Sequence, residues 1–533
     1  MAAVPQEGTS LARGAVGLRE VIFQSITHMA PAAAVAFSIP SGIAFGNGAT
    51  PLAVIFALIG CLFVAISIGQ LARHLPSAGS FSTYTSKSLH PGLGFLIGWG
   101  YAFVEPLIVP ILMLNLGFAA ADFFHTEFGW DPGLWWPWAI AGSFLVFAIG
   151  YLGVKVSTRT GSVLGAIEIG VFALVAIWLI GKAGSDNTLA VFGTKYATNP
   201  DFKGMTGVIA ASVFTILAFI GFEAAAPLAE EARHPRRTIP RAVIGSALII
   251  GLFYVLTTYA ATVFVGPNNA SKAITFGTGW LNLGRAAWGG VGFLLVFLAI
   301  VNSTIANANA GSNAATRTWY ALGRIRLLPS RLATVHPRHR SPSVATIGQL
   351  VVGIGVSLWL GFQYDPITAF ALLATTLTVF FVPMYMILNI SCIAYYRRHQ
   401  RQEFNAVLHI VIPVLGVLVF IPAFFAGAGL PVFSFIPRLP YPISLAGLIM
   451  GSWMIIGIVY LIVLSMTNRD RLRATEQVFL EEDPEELRAG DRGPALSPGW
   501  GGPPDTMHAG TGEEPPEEDR PPAAPTDPIA PPS

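Results

Sequence analysis

Along this chain a window of roughly 19 residues finds about twelve apolar runs, each long enough to cross the hydrocarbon core of a bilayer. They fall near residues 21-46, 51-73, 95-121, 134-153, 158-181, 205-228, 241-265, 288-314, 344-361, 366-391, 405-427 and 442-466, and the eighth can extend into the loop that follows it. Hydrocarbon offers the backbone no hydrogen bonds, so a crossing segment must satisfy its own peptide groups, and runs of this length do so as α-helices. The expectation is an all-α membrane protein of about twelve transmembrane helices. Composition agrees, since 53% of the 533 residues are hydrophobic, only 11% are charged and the mean hydropathy is +0.61. Those values exclude an ordinary soluble domain, and the chain is too long for a simple anchor. The first run begins near Val21 after a polar leader without a secretory cleavage pattern, so it is expected to remain as a membrane helix.

Basic residues assign the loops to sides of the membrane. With a cytoplasmic N-terminus, the inner segments hold 22 arginines and lysines, Arg73, Arg237, Arg241, Arg324 and Arg398 among them, and the outer segments hold 6. The positive-inside rule then places both termini in the cytoplasm. A formal net charge of +2 conceals an acidic tail: from Asn468 onward there are 15 acidic and 6 basic side chains, leaving +11 on the body. The tail is rich in Pro, Glu and Asp with almost no apolar cluster to bury, so it is expected to be disordered, as a solvated extension or a partner-binding segment. Cys61 and Cys392 lie far apart in apolar stretches and read as small buried side chains, with no disulfide framework or CxxC site.

Two runs carry helix breakers. The first holds Met29-Ala30-Pro31 and later Ile39-Pro40-Ser41-Gly42; the sixth holds Gly221, Glu223 and Pro227 ahead of a basic loop reaching Arg241. Peptide groups freed there need protein, water or a ligand, and a carboxylate at Glu223 needs a partner or a proton. The interrupted runs lie five apart. An odd number of helices per unit makes the second unit enter from the opposite side, giving an inverted repeat over 21-181 and 205-391, as in many secondary transporters. In that arrangement paired broken helices flank a midplane site, where half-helix N-termini suit anions and freed carbonyls suit cations or ammonium groups. One such site can hold both ends of a zwitterion. Ordinary packing is the competing reading, because Gly and Pro are commoner in membrane helices. The expected organisation is a leader over 1-20, the two repeats, two additional helices over 405-466 and a cytoplasmic tail over 467-533.

Three blocks resemble a known family. Phe219-Ile220-Gly221-Phe222-Glu223, followed by Ala229-Glu230-Glu231-Ala232-Arg233-His234-Pro235-Arg236-Arg237-Thr238-Ile239-Pro240-Arg241, is similar to the sixth-helix signature of the amino acid-polyamine-organocation (APC) permeases. Leu75-Pro76-Ser77-Ala78-Gly79 through Tyr84, then His90-Pro91-Gly92 through Gly98-Trp99, resembles that family's link between its second and third helices. Arg317-Thr318-Trp319-Tyr320-Ala321-Leu322-Gly323-Arg324, Leu328-Pro329, Val335-His336 and Ser341-Pro342 resemble its loop after the eighth helix. The resemblance spans roughly 20 to 465 and implies a five-plus-five inverted repeat (LeuT-like) with two added helices, and uptake or exchange of amino acids or related amines. One departure stands out. Many members carry a Gly-rich break in the first helix, whereas here Ala and Pro follow Thr27, so a substrate amine without a carboxylate stays open.

Carried over by position, the resemblance puts the carbonyls of Phe219 and Ile220 near a substrate ammonium, Gly221 at the unwound point and Leu217 in the pocket wall. Thr27, Met29, Ala30, Pro31, Ala32 and Ala33 form the first-helix side, and Tyr101 and Asn307 complete the expected substrate-binding set, Tyr101 with core packing as its competing reading. Glu223 falls on the family's glutamate and reads as a proton-sensing or gating carboxylate, or as a brace across the break. Glu168, mid-way along the fifth run, stands where some members place a lysine that takes the role of a bound sodium ion. A carboxylate there can carry a proton, hold a cation or pack helices. Glu105, before Pro106, and His28 are further coupling or gating candidates, His28 either as a proton relay or as hydrogen-bonded structure. The eighth run carries Asn302, Ser303, Thr304, Asn307, Asn309 and Asn313. Ser303 and Thr304 can supply hydroxyl oxygens to sodium, or the stripe can bond helices together. Trp99, Trp135, Trp136 and Trp138 are expected as interfacial anchors.

The sequence holds no phosphate-cradling Walker motif, no paired Cys/His metal spacing and no nucleophile elbow, so neither enzyme chemistry nor a cofactor or metal is expected. Basic loops follow from topology and call for no nucleic acid partner. The functional expectation is a secondary amino acid permease of the cytoplasmic membrane, working by proton-coupled symport and alternating access, with sodium as the second coupling ion to weigh. An amino acid, amine or polyamine exchanger and a transporter-like nutrient sensor are the alternatives.

Overall fold

Peptide groups in hydrocarbon pair within their own segment or with a neighbour, and this chain meets the requirement with helices almost throughout. In a computed structural model, residues 17–76, 80–152, 158–229, 232–336, 339 and 341–467 are described, the side chains of 158–160 excepted. Most of the leader, the acidic tail and short parts of the three family-like blocks lie outside the described residues. Among the described residues, ten helical stretches are long and apolar enough to cross a membrane. The chain is an all-α, multi-pass membrane protein. Its strand content among those residues is one two-residue pair, Thr198–Asn199 against Phe202–Lys203.

The runs expected at 21-46 and 51-73 form one stretch, Leu18–His74, divided at Asn47 by a backbone turn of φ 46°, ψ −133°. The run expected at 134-153 is helix Trp136–Tyr151, which at 16 residues is shorter than the ten. The eighth run belongs to Thr278–Arg324, kinked at Trp288 and Gly289, and it does extend into the following segment. Burial separates centre from periphery. In the most apolar window, 83% of Met205–Leu228 and of Pro366–Arg398 is buried, against 28% of Val407–Gly427 and 17% of Ile443–Thr467. An apolar helix buried all round belongs in the core, and one buried on a single stripe presents its remaining face to lipid.

Prolines inside these helices leave carbonyls without their usual donor four residues on, and each of three such carbonyls has a partner from elsewhere. Pro40 frees the Ala36 carbonyl, which accepts from the Gly277 N–H at 2.8 Å. Pro106 frees Ala102, whose carbonyl accepts from Trp319 Nε1 at 2.8 Å, and Pro110 frees Pro106, whose carbonyl accepts from Gln349 Nε2 at 2.9 Å. The interruption expected at Ile39-Pro40-Ser41-Gly42 is thereby corrected. Helix Ile39–Gly46 runs through it after a π-helical turn at Ala34–Ser38, which takes up the misfit.

The tryptophans need a correction too. Trp99 and Trp135 are buried, 8% and 7% exposed. Trp99 stacks on Trp453 at 4.7 Å, and each indole donates to the other residue's backbone carbonyl at 3.0 Å, which fastens helix Pro91–Val104 to Ala446–Thr467. Cys61 and Cys392 are buried and unbridged, as expected.

Replacing Trp319 by Phe keeps most of the packing and strands the Ala102 carbonyl. The expected loss is about 1–3 kcal/mol of stability, read as a lower thermal unfolding midpoint of the purified protein. An unchanged midpoint would mean that this carbonyl does not depend on the indole.

Candidate functional site

The breaks expected in the first and sixth runs are both present, and they touch. Helix Leu18–Met29 stops at Ala30, held in the left-handed region at φ 46°, ψ 67°, and the chain restarts at Pro31. Proline suits that position because the first N–H of a helix has no internal acceptor. A left-handed alanine costs of order 1–3 kcal/mol, which the surroundings must offset. In the sixth run, helix Met205–Phe219 gives way to an extended Ile220 (φ −55°, ψ 127°) and to Gly221 at φ 115°, before a 3₁₀ segment over Phe222–Leu228. Glycine is required here twice over. Side chains rarely adopt that φ, and a Cβ on Gly221 would stand 2.7 Å from the His28 carbonyl carbon.

Side chains sew the two breaks together. The Tyr254 hydroxyl lies 3.0 Å from the Met29 carbonyl and 2.9 Å from the Ala218 carbonyl, so one proton serves the last turn of both broken helices. Ser25 Oγ donates to the Phe222 carbonyl at 2.8 Å, across the same seam. Glu223, buried, accepts from the Gly221 N–H at 3.0 Å and so bridges the break from its own side. The Tyr385 hydroxyl stands near this carboxylate without meeting hydrogen-bond geometry.

Beside this seam lies a cavity of ≈ 60 Å³. Of the expected substrate-binding residues, Met29, Ala30, Ala33, Leu217, Ile220 and Asn307 line it, and so does His28. Thr27, Pro31, Ala32, Phe219, Gly221 and Tyr101 lie outside the lining. Phe219 packs edge-on against Tyr254 at 5.3 Å, and Tyr101 sits among Phe81, Phe380 and Phe381 at 5.7–5.9 Å. The remaining wall was not anticipated: Ala34 and Ser38 from the first run, Ile108, Ile111, Leu112 and Asn115 from helix Ile108–Phe128, Ala218, and Phe370 and Leu377 from helix Pro366–Arg398. The set 108, 111, 112 and 115 has the spacing of one helix face, and an Asn within so apolar a run was a readable signal. Phe370, Leu377 and Tyr254 carried none. Ligand pockets usually measure roughly 300–1,000 Å³, so these walls must move apart to admit anything larger than a very small molecule.

The acidic candidates occupy different places. Glu168, 4% exposed, reaches from helix Thr158–Ala183 to accept from Asn302 Nδ2 at 2.7 Å and from Ser303 Oγ at 3.1 Å, beside the backbone of Ala32. One carboxylate thus joins helix Thr158–Ala183 to helix Thr278–Arg324, next to the restart of the broken first helix. Thr304 Oγ1 donates within its own helix, to the Ile300 carbonyl at 2.7 Å. Glu105 is buried in the 3₁₀ turn Glu105–Leu107, off the cavity lining, with Oε2 lacking a hydrogen-bond partner. Among the described residues, no group of three or more His, Cys, Asp and Glu could hold a metal ion.

Central broken helices in contact, set around a small cavity in a multi-pass helical body, define a membrane transporter of the broken-helix type. The family model for amino acid permeases matches residues 20–473, and the chain belongs to that family. The chain is 27% identical over 376 residues to the low-affinity putrescine importer PlaP of Escherichia coli K12, covering 68% of this chain and 77% of that protein. It is 26% identical over 446 residues to the branched-chain amino acid permease BcaP of Lactococcus lactis subsp. cremoris, covering 79% and 88%. It is also 27% identical over 328 residues to the BcaP of Bacillus subtilis, covering 56% and 65%. The protein is a secondary-active amino acid or amine permease of the APC type.

Tyr254→Phe removes the hydroxyl that serves both breaks while keeping the ring. The expected outcome is a loss of about 1–3 kcal/mol, seen as a lower unfolding midpoint together with reduced uptake in proteoliposomes. Wild-type values for both would mean that the Met29 and Ala218 carbonyls are satisfied without it.

Proposed function

We propose that the protein is an amino acid permease of the cytoplasmic membrane that couples uptake to protons, with the substrate held between the first-helix break at Ala30 and the sixth-helix break at Gly221. The observation that carries this reading is the contact of the two breaks beside a cavity lined from both. The fold proposed is twelve spans, as two inverted five-helix repeats over 21-181 and 205-391 plus two further helices, with both termini cytoplasmic. Its support is the five-run spacing of the breaks and the 22 to 6 distribution of basic residues. Freed carbonyls at Phe219 and Ile220 suit an ammonium, and N–H groups where the first helix restarts suit a carboxylate. Glu223 and His28, in contact with the seam, are proposed to gate it.

Coupling is assigned to Glu168. Both of its hydrogen bonds are donations to a carboxylate. A proton on Oε2 would set an O–H against the Asn302 amide donor, and one on Oε1 would turn the Ser303 hydroxyl from donor to acceptor, so protonation changes the joint between helices Thr158–Ala183 and Thr278–Arg324 beside the first-helix restart. Ser303, already donating to Glu168, is part of that joint, and this favours protons over sodium.

The test is uptake into proteoliposomes under an imposed pH gradient, acidic outside. Wild type should accumulate substrate. Glu168→Gln should fall to equilibration, a loss of roughly tenfold or more, while counterflow at equal pH persists. Undiminished accumulation in Glu168→Gln would remove this residue from the mechanism, and accumulation driven by sodium alone would overturn proton coupling.

A further inference from the structure

Two side-chain amides face the cavity unpaired. Asn115, 2% exposed, lines it from helix Ile108–Phe128, and Asn307 lines it from helix Thr278–Arg324. In each, Oδ1 is buried without a hydrogen-bond partner. Leaving such a group unpaired costs about 1–3 kcal/mol, and native interiors keep few of them without a reason. Packing supplies none, because most of the wall is apolar, with Ile108, Ile111, Leu112, Leu217, Phe370 and Leu377, and its polar side chains His28 and Ser38 make no hydrogen bond to either oxygen. A leucine at 115 would fit that company better. The amides are therefore suited to something that enters.

Their chemistry narrows what that is. A carboxamide presents both a donor and an acceptor, so it pairs best with a group that does the same: a hydroxyl or another carboxamide. An aliphatic side chain would leave both amides unpaired. A second ammonium, as in a diamine, would exchange water for neutral groups, since no Asp or Glu lines the cavity.

We infer that the cavity selects amino acids whose side chain carries a hydroxyl or a carboxamide, with Asn115 and Asn307 as the specificity-determining pair. This rests on the permease reading above and places the selectivity on two helices that do not carry the breaks. It separates this protein from the branched-chain amino acids and the putrescine in the names of the relatives reported above.

Binding of serine, threonine, asparagine, leucine and putrescine to the purified full chain, measured by isothermal titration calorimetry, tests this. At least one of the first three should bind about tenfold or more tightly than leucine and putrescine. In Asn115→Leu that preference over leucine should shrink about tenfold or more, with the unfolding midpoint unchanged or raised. Asn307→Ala reads the same ratio if the first variant does not fold. Leucine or putrescine binding as tightly as the polar amino acids in wild type, or an unaltered ratio in a folded variant, would overturn the inference and leave the permease reading standing. If none of the compounds binds, while other amino acids and amines also fail, the permease reading falls with it.

Discussion

A peptide group in hydrocarbon has no solvent to fall back on, and each one left unpaired costs several kcal/mol. At three of its in-helix prolines this protein re-pairs what it frees. Pro40, Pro106 and Pro110 each release a carbonyl, and a backbone amide, an indole and a carboxamide from distant parts of the chain take them up. These contacts tie helix Pro91–Val104 and its continuation to helices Thr278–Arg324 and Ser343–Tyr364. Breaks tolerated only by such pairing become fixed points of the fold.

The same constraint builds the candidate site. Two helices stop at one level, Ala30 against Gly221, and their last carbonyls converge on the Tyr254 hydroxyl. Glu223 takes the Gly221 N–H and Glu168 lies beside the backbone of Ala32, so each break has a carboxylate next to it. In the proposed mechanism these two acids differ in what they connect. Glu223 spans a break within its own chain segment, whereas Glu168 links two helices beside the first-helix restart, and a link between helices is what a coupling proton can change. Brace and gate are both open to Glu223, and its bond to Gly221 is compatible with either.

Much of this was legible in the residues. Long apolar runs placed the helices, and Gly221 marked its break because no other residue tolerates both its φ and its distance from His28. Pro31 marked the first break, although the strained residue is Ala30, one position earlier. Pro40 misled, because the π-helical turn before it takes up the misfit and the carbonyl it frees finds a donor at Gly277, more than 200 residues away. Long-range partners of this kind explain the other omissions. Tyr254 is one tyrosine in an apolar run until Met29 and Ala218 are seen beside it, and Trp99 resembles an interfacial anchor until Trp453 stacks on it. Asn115 was visible as a polar residue in lipid-length sequence, but only the fold brings it to the same cavity as Asn307.

Substrate is proposed to bind where the two breaks meet. A cryo-electron-microscopy structure of the protein with a transported amino acid bound should show ligand density bounded by Ala30, Ile220 and Asn307, with the ammonium toward the sixth-helix carbonyls. Density for a transported amino acid elsewhere in the molecule, with this cavity collapsed, would contradict it.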